Sequence, residues 1–168
     1  MQFLLAAVNA KYIHSNPAIY SLKSYAGREL QRHIALAEYT INNKMEEILG
    51  DLYRRQPDVI GFSCYIWNWR LVQELLRELP KVLPGTELWL GGPEVSFDAV
   101  KILEDFPMVR GIMAGEGEET FKELLTYYVD RGNRDQERDG DSPELEKIPG
   151  LALGSGVTAP RELTDMDR

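Results

Sequence analysis

Five short apolar runs, each followed by apolar residues at helical spacing, restrict the fold of this chain more than any other feature. The runs cover residues 2–8, 34–39, 58–64, 87–90 and 109–114. After the first, Asn16-Pro17 offers an N-cap followed by proline at the first helical position. Ile19, Leu22, Tyr25, Ala26 and Leu30 then follow at helical spacing. A second helix starts near Asn43, with Glu46 three residues on as in a capping box and a stripe of Met45, Ile48, Leu49, Leu52 and Tyr53. Leu71, Val72, Leu75, Leu76, Leu79 and Leu83 form the clearest stripe, ended by Pro84-Gly85. Residues 97–106 and 118–129 complete the set. Such alternation predicts an α/β fold: a doubly wound, Rossmann-like or flavodoxin-like, five-stranded parallel sheet in a three-layer α/β/α arrangement with right-handed crossovers.

A length of 168 residues with 43% apolar side chains suits one domain with a sizeable core. From residue 130 to 147, eleven of eighteen residues are charged, which reads as an exposed loop or linker. Ile148-Pro149-Gly150-Leu151-Ala152-Leu153 is apolar again and predicts a short added strand, followed by a polar tail. The expected organisation is therefore an α/β domain over 1–130, a charged loop or linker over 131–147, and a closing strand with the start of a linker over 148–168.

Composition also narrows the partners. A net charge of −8 argues against a general nucleic-acid surface, which needs clustered Lys and Arg. No apolar run approaches the roughly 20 residues of a membrane span, and residues 1–8 are too short for a signal peptide's apolar region. The one cysteine, Cys64, excludes an internal disulfide framework and a thiolate cluster. The expectation is a soluble protein of the reducing cytoplasm, with neither nucleic acid nor membrane as partner.

In an open α/β sheet, ligands bind outside the carboxyl ends of the strands. Four turns would lie along that edge: residues 9–16 with Tyr12 and His14, Ser63-Cys64-Tyr65, Gly91-Gly92-Pro93-Glu94, and Gly115-Glu116-Gly117-Glu118. The first lacks the Gly-x-Gly-x-x-Gly of a dinucleotide fold, and no Walker loop occurs. A phosphoacceptor receiver would need acids after strand one and an Asp ending strand three, where this chain has Asn9 and Ser63. Glu116, Glu118 and Glu119 at a helix start would repel an anion and suit a ligand rich in hydroxyl or amide donors. The plainer reading of Glu118 and Glu119 is that they cap the helix. Gly91-Gly92 permits a tight turn, or lets a bulky ligand lie against bare backbone.

Pro57-Asp58-Val59-Ile60-Gly61-Phe62-Ser63, Leu90-Gly91-Gly92-Pro93-Glu94, the 115–118 turn and Ile148-Pro149-Gly150-Leu151-Ala152 together resemble one family. It is the cobalamin (vitamin B12)-binding domain at the N-terminus of radical S-adenosylmethionine enzymes. The resemblance spans nearly the whole chain, and the acidic residues 162–168 resemble the connection to the radical domain. It implies a corrinoid held over the carboxyl edge, with its nucleotide tail running into the fold. Ser63 would hydrogen-bond that tail, Gly91 and Gly92 would flank it, and the 115–118 turn would meet ribose or corrin amides. Tyr65, Trp67 and Trp69 would face the broad apolar ring, or else pack against the helix start. Asn9, Tyr12, Cys64, Pro93 and Glu94 complete the implied cofactor-binding set. Cys64 itself reads as a small buried hydrophobe, and His33 as structural.

Mutase-type cobalamin domains carry Asp-x-His-x-x-Gly in the first loop, and only the His is present here. His14 is the candidate cobalt ligand, without the Asp that would orient it. No Cys-x-x-x-Cys-x-x-Cys segment occurs, so S-adenosylmethionine and a [4Fe-4S] cluster would belong to a C-terminal radical domain of the same polypeptide. The implied function is the cobalamin-binding module of a radical S-adenosylmethionine enzyme, methyl transfer being one reaction of that class, and this chain would not be catalytic by itself. Two alternatives are a flavodoxin-like sensor domain for another cofactor such as a flavin, and a degenerate domain that docks a partner through its Trp67–Trp69 surface.

Overall fold

Residues 3–8 are all buried, so the first strand has no solvent face. That is the condition of a central parallel strand covered by helices on both sides. In the computed structural model, which describes residues 1–11, 15–134 and 144–161, this strand is β1 (Phe3–Asn9). It is followed by α1 (Pro17–Tyr25), α2 (Arg28–Gln31), β2 (Ile34–Thr40), α3 (Met45–Arg55), β3 (Val59–Ser63) and α4 (Trp69–Val82). Then come β4 (Glu87–Gly91), α5 (Pro93–Ser96), α6 (Ala99–Asp105), β5 (Val109–Met113) and α7 (Glu118–Arg134). A 3-10 turn (Leu145–Lys147), β6 (Leu151–Leu153) and β7 (Gly156–Val157) close the described chain.

The strand order is β2-β1-β3-β4-β5-β6-β7. β1 to β5 pair in parallel, while β6 pairs antiparallel to β5 and β7 antiparallel to β6. The expected five-stranded parallel sheet is thus the core of a seven-stranded mixed one. The predicted closing strand is β6. β7 escaped the sequence reading because its two residues are Gly156 and Val157, both exposed and without an apolar pattern.

Alternate residues of β1 enter two separate cores. Phe3, Leu5 and Ala7 pack with Ile19 of α1 and with Phe121, Leu124 and Leu125 of α7. Leu4, Ala6 and Val8 pack with Ile48 and Leu52 of α3, with the α4 stripe, and with Val95 and Ile102 from α5 and α6. This is the three-layer arrangement the alternation predicts.

Three helix boundaries differ from the sequence reading. The first helix breaks at Gly27 (φ 84°), so Leu30 belongs to the separate α2. Residues 93–96 form their own turn of helix, and α6 starts at Ala99, leaving Phe97 outside as a 93% exposed side chain. α7 continues to Arg134, five residues beyond the predicted end. The cap of α3 is shifted by one residue: the Lys44 N–H donates to Glu47 Oε2 at 3.1 Å, while Asn43 Oδ1 accepts from the Thr40 N–H. After the 3-10 turn, whose Leu145 is buried, the chain returns to α7. There Arg161 donates to Thr120 Oγ1 at 2.9 Å and pairs with Glu119 at 3.1 Å and Glu123 at 3.0 Å.

Candidate functional site

β1 lies between β2 and β3, so successive connections leave in opposite directions and open a crevice at the carboxyl ends. A cleft of about 500 Å³ occupies this edge on the α1/α7 side of the sheet. Its floor is a column of small or retracted residues. Gly61 of β3 carries no side chain opposite Leu5 and Trp89 in the strand register, and Ser63 and Gly91 continue the floor toward the edge. Ala18, Ile19 and Leu22 of α1 make one wall. The 115–118 turn makes the other, with Ser96 and Phe97 at the lip. Ser21 Oγ donates to Glu118 Oε1 at 2.9 Å, tying the two walls together.

The turn after β4 packs backbone to backbone on the turn after β3. The Cys64 N–H donates to the Gly91 carbonyl at 2.7 Å, and the Glu94 N–H donates to the Cys64 carbonyl at 3.3 Å. Gly92 has φ 105°, and a Cβ there would stand 2.4 Å from the Cys64 carbonyl oxygen. Only glycine permits that approach. Gly91 is less constrained, since its Cβ would meet Met113 at an ordinary 3.6 Å.

Asn68, which the sequence reading passed over, braces the floor. It is fully buried, and its Nδ2 donates to the Ser63 carbonyl at 2.8 Å and the Val8 carbonyl at 3.1 Å. Its Oδ1 accepts from the Tyr65 N–H at 2.9 Å. One amide thus satisfies the loose ends of β1 and β3 where the two strands part. The available signal was an Asn directly before the α4 stripe, a position where Asn normally caps. Here the side chain turns inward instead.

The predicted residues divide by position. Ser63, Tyr65, Gly91, Gly92, Pro93, Gly115, Glu116, Gly117 and Glu118 all border the cleft. Trp67 lies beside it, its ring stacked on Tyr65 at 4.5 Å and its Nε1 donating to the Val8 carbonyl at 3.3 Å. Trp69 turns away and packs edge-on against Phe106. Glu94 faces the groove between α4 and α6 rather than the cleft. Cys64 is fully buried with its Sγ donating to the Phe62 carbonyl, and burial pushes its thiol far above the ordinary value. Asn9 ends β1, its carbonyl accepting from the Ile41 N–H at 2.9 Å. Tyr12 and His14 lie outside the described residues. His33, read as structural, places Nδ1 3.0 Å from the Met1 carbonyl. Sequence reasoning missed Phe97 as well as Asn68, and read Asn16 only as a helix cap, without its contact to Ser63. Of the acids, Glu118 is held by Ser21 and Glu119 by Arg161, so both cross-link elements rather than only cap α7.

Residues 4–125 match the B12 binding domain family. The chain belongs to that family. It is 33% identical over 156 residues to the 2-(S-pantetheinyl)-carbapenam-3-carboxylate methyltransferase of Streptantibioticus cattleyicolor, covering 93% of this chain and 20% of that protein. Over 104 residues it is 31% identical to the cobalamin-dependent radical SAM methyltransferase TokK of Streptomyces tokunonensis, covering 62% and 14%. Over 122 residues it is 28% identical to the anaerobic magnesium-protoporphyrin IX monomethyl ester cyclase of Cereibacter sphaeroides, covering 73% and 18%. This B12-binding domain therefore spans a fifth or less of the length of these relatives. Its fold matches that of the cobalamin-dependent S-adenosylmethionine radical enzyme OxsB, with a TM-score of 0.70 at 19% identity over 95% of this chain and 22% of that one. Among the described residues, no helix is long and apolar enough to cross a membrane.

Proposed function

We propose that this domain is the cobalamin-binding module of a cobalamin-dependent radical S-adenosylmethionine enzyme, with methyl transfer the reaction most in keeping with its relatives. The observation that carries the reading is the glycine-floored cleft on the apolar sheet face, inside the span that matches the B12 binding domain. Its volume suits a flat nucleotide tail, and its walls are apolar apart from Ser63, Ser96 and the acids of the 115–118 turn. Ser63 would donate to the tail, and Gly91 and Gly92 would lie against it. Glu116 and Glu118 would accept from ribose hydroxyls or corrin amides. Tyr65, Trp67 and the exposed Phe97 would flank the ring at the mouth. His14 is the candidate for the cobalt-facing imidazole. Cobalamin, when bound, supplies a cobalt that carries a one-carbon group; the protein's share is to hold and orient it and to exclude water.

In this reading, residues 148–161 close the sheet and lead toward a C-terminal radical domain of the same polypeptide, which would bind S-adenosylmethionine and a [4Fe-4S] cluster. The relatives' greater length supports that organisation.

Titration with hydroxocobalamin and methylcobalamin, read by visible absorbance and gel filtration, tests the proposal. Stoichiometric retention with a base-off spectrum is the expected result. If His14 faces cobalt, His14→Ala shifts that spectrum. No retention at tens of micromolar would defeat the reading and favour a docking domain. That second reading rests on Ile66 and Phe97, 81% and 93% exposed at the same edge.

A further inference from the structure

Asn16 lies in the loop between β1 and α1, yet it is only 5% exposed. Its amide orientation is fixed by its neighbours. The Ala18 N–H donates to Oδ1 at 3.0 Å, an interaction that only the carbonyl end of the amide can accept. Nδ2 therefore faces β3 and donates to Ser63 Oγ at 3.4 Å. The loop is pinned from the other side, because the Asn16 N–H donates to Glu38 Oε1 at 2.8 Å. Turning the amide over would set Nδ2 against the Ala18 N–H, two donors facing each other.

A hydroxyl has one hydrogen and two lone pairs. Asn16 donates to one lone pair and no described residue accepts the Ser63 hydrogen, so Ser63 keeps that hydrogen, beside its second lone pair, to donate into the cleft. We infer that Asn16 is a positioning residue that fixes Ser63 as a donor, so that the cleft selects flat groups presenting a lone-pair acceptor, such as an aromatic ring nitrogen. The inference rests on the cobalamin reading above, in which Ser63 meets the nucleotide tail. The benzimidazole of that tail has such a nitrogen. A tail of similar size ending in a phenol ether has none.

The test compares the affinities of the full chain for cobalamin and for a cobamide whose tail ends in p-cresol, in wild type, Asn16→Asp and Ser63→Ala. Aspartate still caps α1. Its carboxylate accepts from both the Ala18 N–H and the Ser63 O–H, which turns the hydroxyl's lone pairs toward the cleft. Wild type is expected to prefer cobalamin, and both variants to shrink the affinity ratio about five-fold, the range of one neutral hydrogen bond. If Asn16→Asp does not fold, Asn16→Ser replaces it; serine also caps but is too short to reach Ser63, and a smaller shift in the same direction is expected. Thermal melts of each variant check that the fold is intact.

A wild-type chain that binds cobalamin, with a ratio unchanged in both variants, overturns the inference and leaves the module reading standing. A ratio that moves in Asn16→Asp but not in Ser63→Ala also overturns it, because Asn16 would then act by another route. Failure of the wild type to bind either corrinoid removes the module reading and this inference together.

Discussion

Gly61 and Gly111 stand in one row across the sheet with Trp89 between them, and the two glycines are put to opposite uses. At Gly111 the missing side chain is replaced by a neighbour: a Cβ there would lie 2.5 Å from the Trp89 ring and 2.8 Å from Leu153. Trp89 is fully buried, its Nε1 donates to the Tyr128 hydroxyl at 2.7 Å, and that hydroxyl donates to Glu87 at 2.6 Å. At Gly61 the nearest atoms to such a Cβ are the edges of Phe3 and Leu5, at 3.1 and 3.4 Å, and the space above joins the cleft. The same residue type in the same row thus makes packed core on one side and an open slot on the other. The direction in which the intervening indole leans decides between them.

The largest effect is expected from emptying the packed side. Trp89→Ala should cost about 3–5 kcal/mol, since it leaves a cavity and deprives Tyr128 of its donor. A urea-unfolding midpoint close to that of wild type would mean the indole is not what fills the row. Overfilling the same place comes next. Gly111→Ala should destabilise by about 1–3 kcal/mol, because the indole and Leu153 are held on all sides and must shift. Thermal melting would register this as a fall of several degrees.

Gly61→Ala sharpens the contrast. Its methyl meets the ring edge of Phe3 and the end of Leu5 at 3.1 and 3.4 Å, which a few tenths of an ångström of movement relieves, so the expected stability change is below about 1 kcal/mol. Corrinoid retention should nevertheless weaken about tenfold, or about 1.4 kcal/mol, because the methyl stands on the cleft floor. Equal losses of stability in Gly61→Ala and Gly111→Ala would erase the distinction between the two halves of the row.

The smallest effect is a control on the opposite layer. The Tyr39 hydroxyl, donating to Asp51 at 2.6 Å, holds that carboxyl below its ordinary value, with Arg55 adding to the effect. A lowered folded value means that the group stabilises the fold above the ordinary 3.8, and that this contribution is lost as the pH falls from there through the lowered value. Asp51→Asn should flatten the acid limb of the stability profile by less than about 1 kcal/mol, given partial exposure and screening. Corrinoid binding at pH 7 should be unchanged. A change in binding would show that α3 is coupled to the cleft.

The parallel core was legible in the chain because both faces of β1 and β3 are covered, which leaves uninterrupted apolar runs between helical stripes. The cap of α1 was legible too, since Asn16-Pro17 is local chemistry. β7 was not, because a two-residue exposed strand exists only through its ladder to β6. The break after α1 depends on a glycine at φ 84°, and an isolated Gly27 is equally compatible with an uninterrupted helix. At the site, the 63–65, 91–93 and 115–118 turns were found by their place after strands. Glu94 was included as the end of the Leu90–Glu94 motif and Trp69 as a neighbour of Tyr65 and Trp67, and their side chains project to the α4/α6 side.

The sequence by itself determined the order of strands and helices, the edge on which the turns gather, and the family to which those turns belong. The first two follow from periodicity and from residues a few positions apart, which the chain brings together whatever its tertiary arrangement, and the family from the resemblance of those turns to known motifs. Tertiary structure alone decided which glycine opens a slot and which receives an indole, that Asn68 turns inward, and that Asn16 faces Ser63 across 47 positions of sequence. Each of these depends on the direction of a side chain from a distant strand or helix, and that direction is set only when the layers pack.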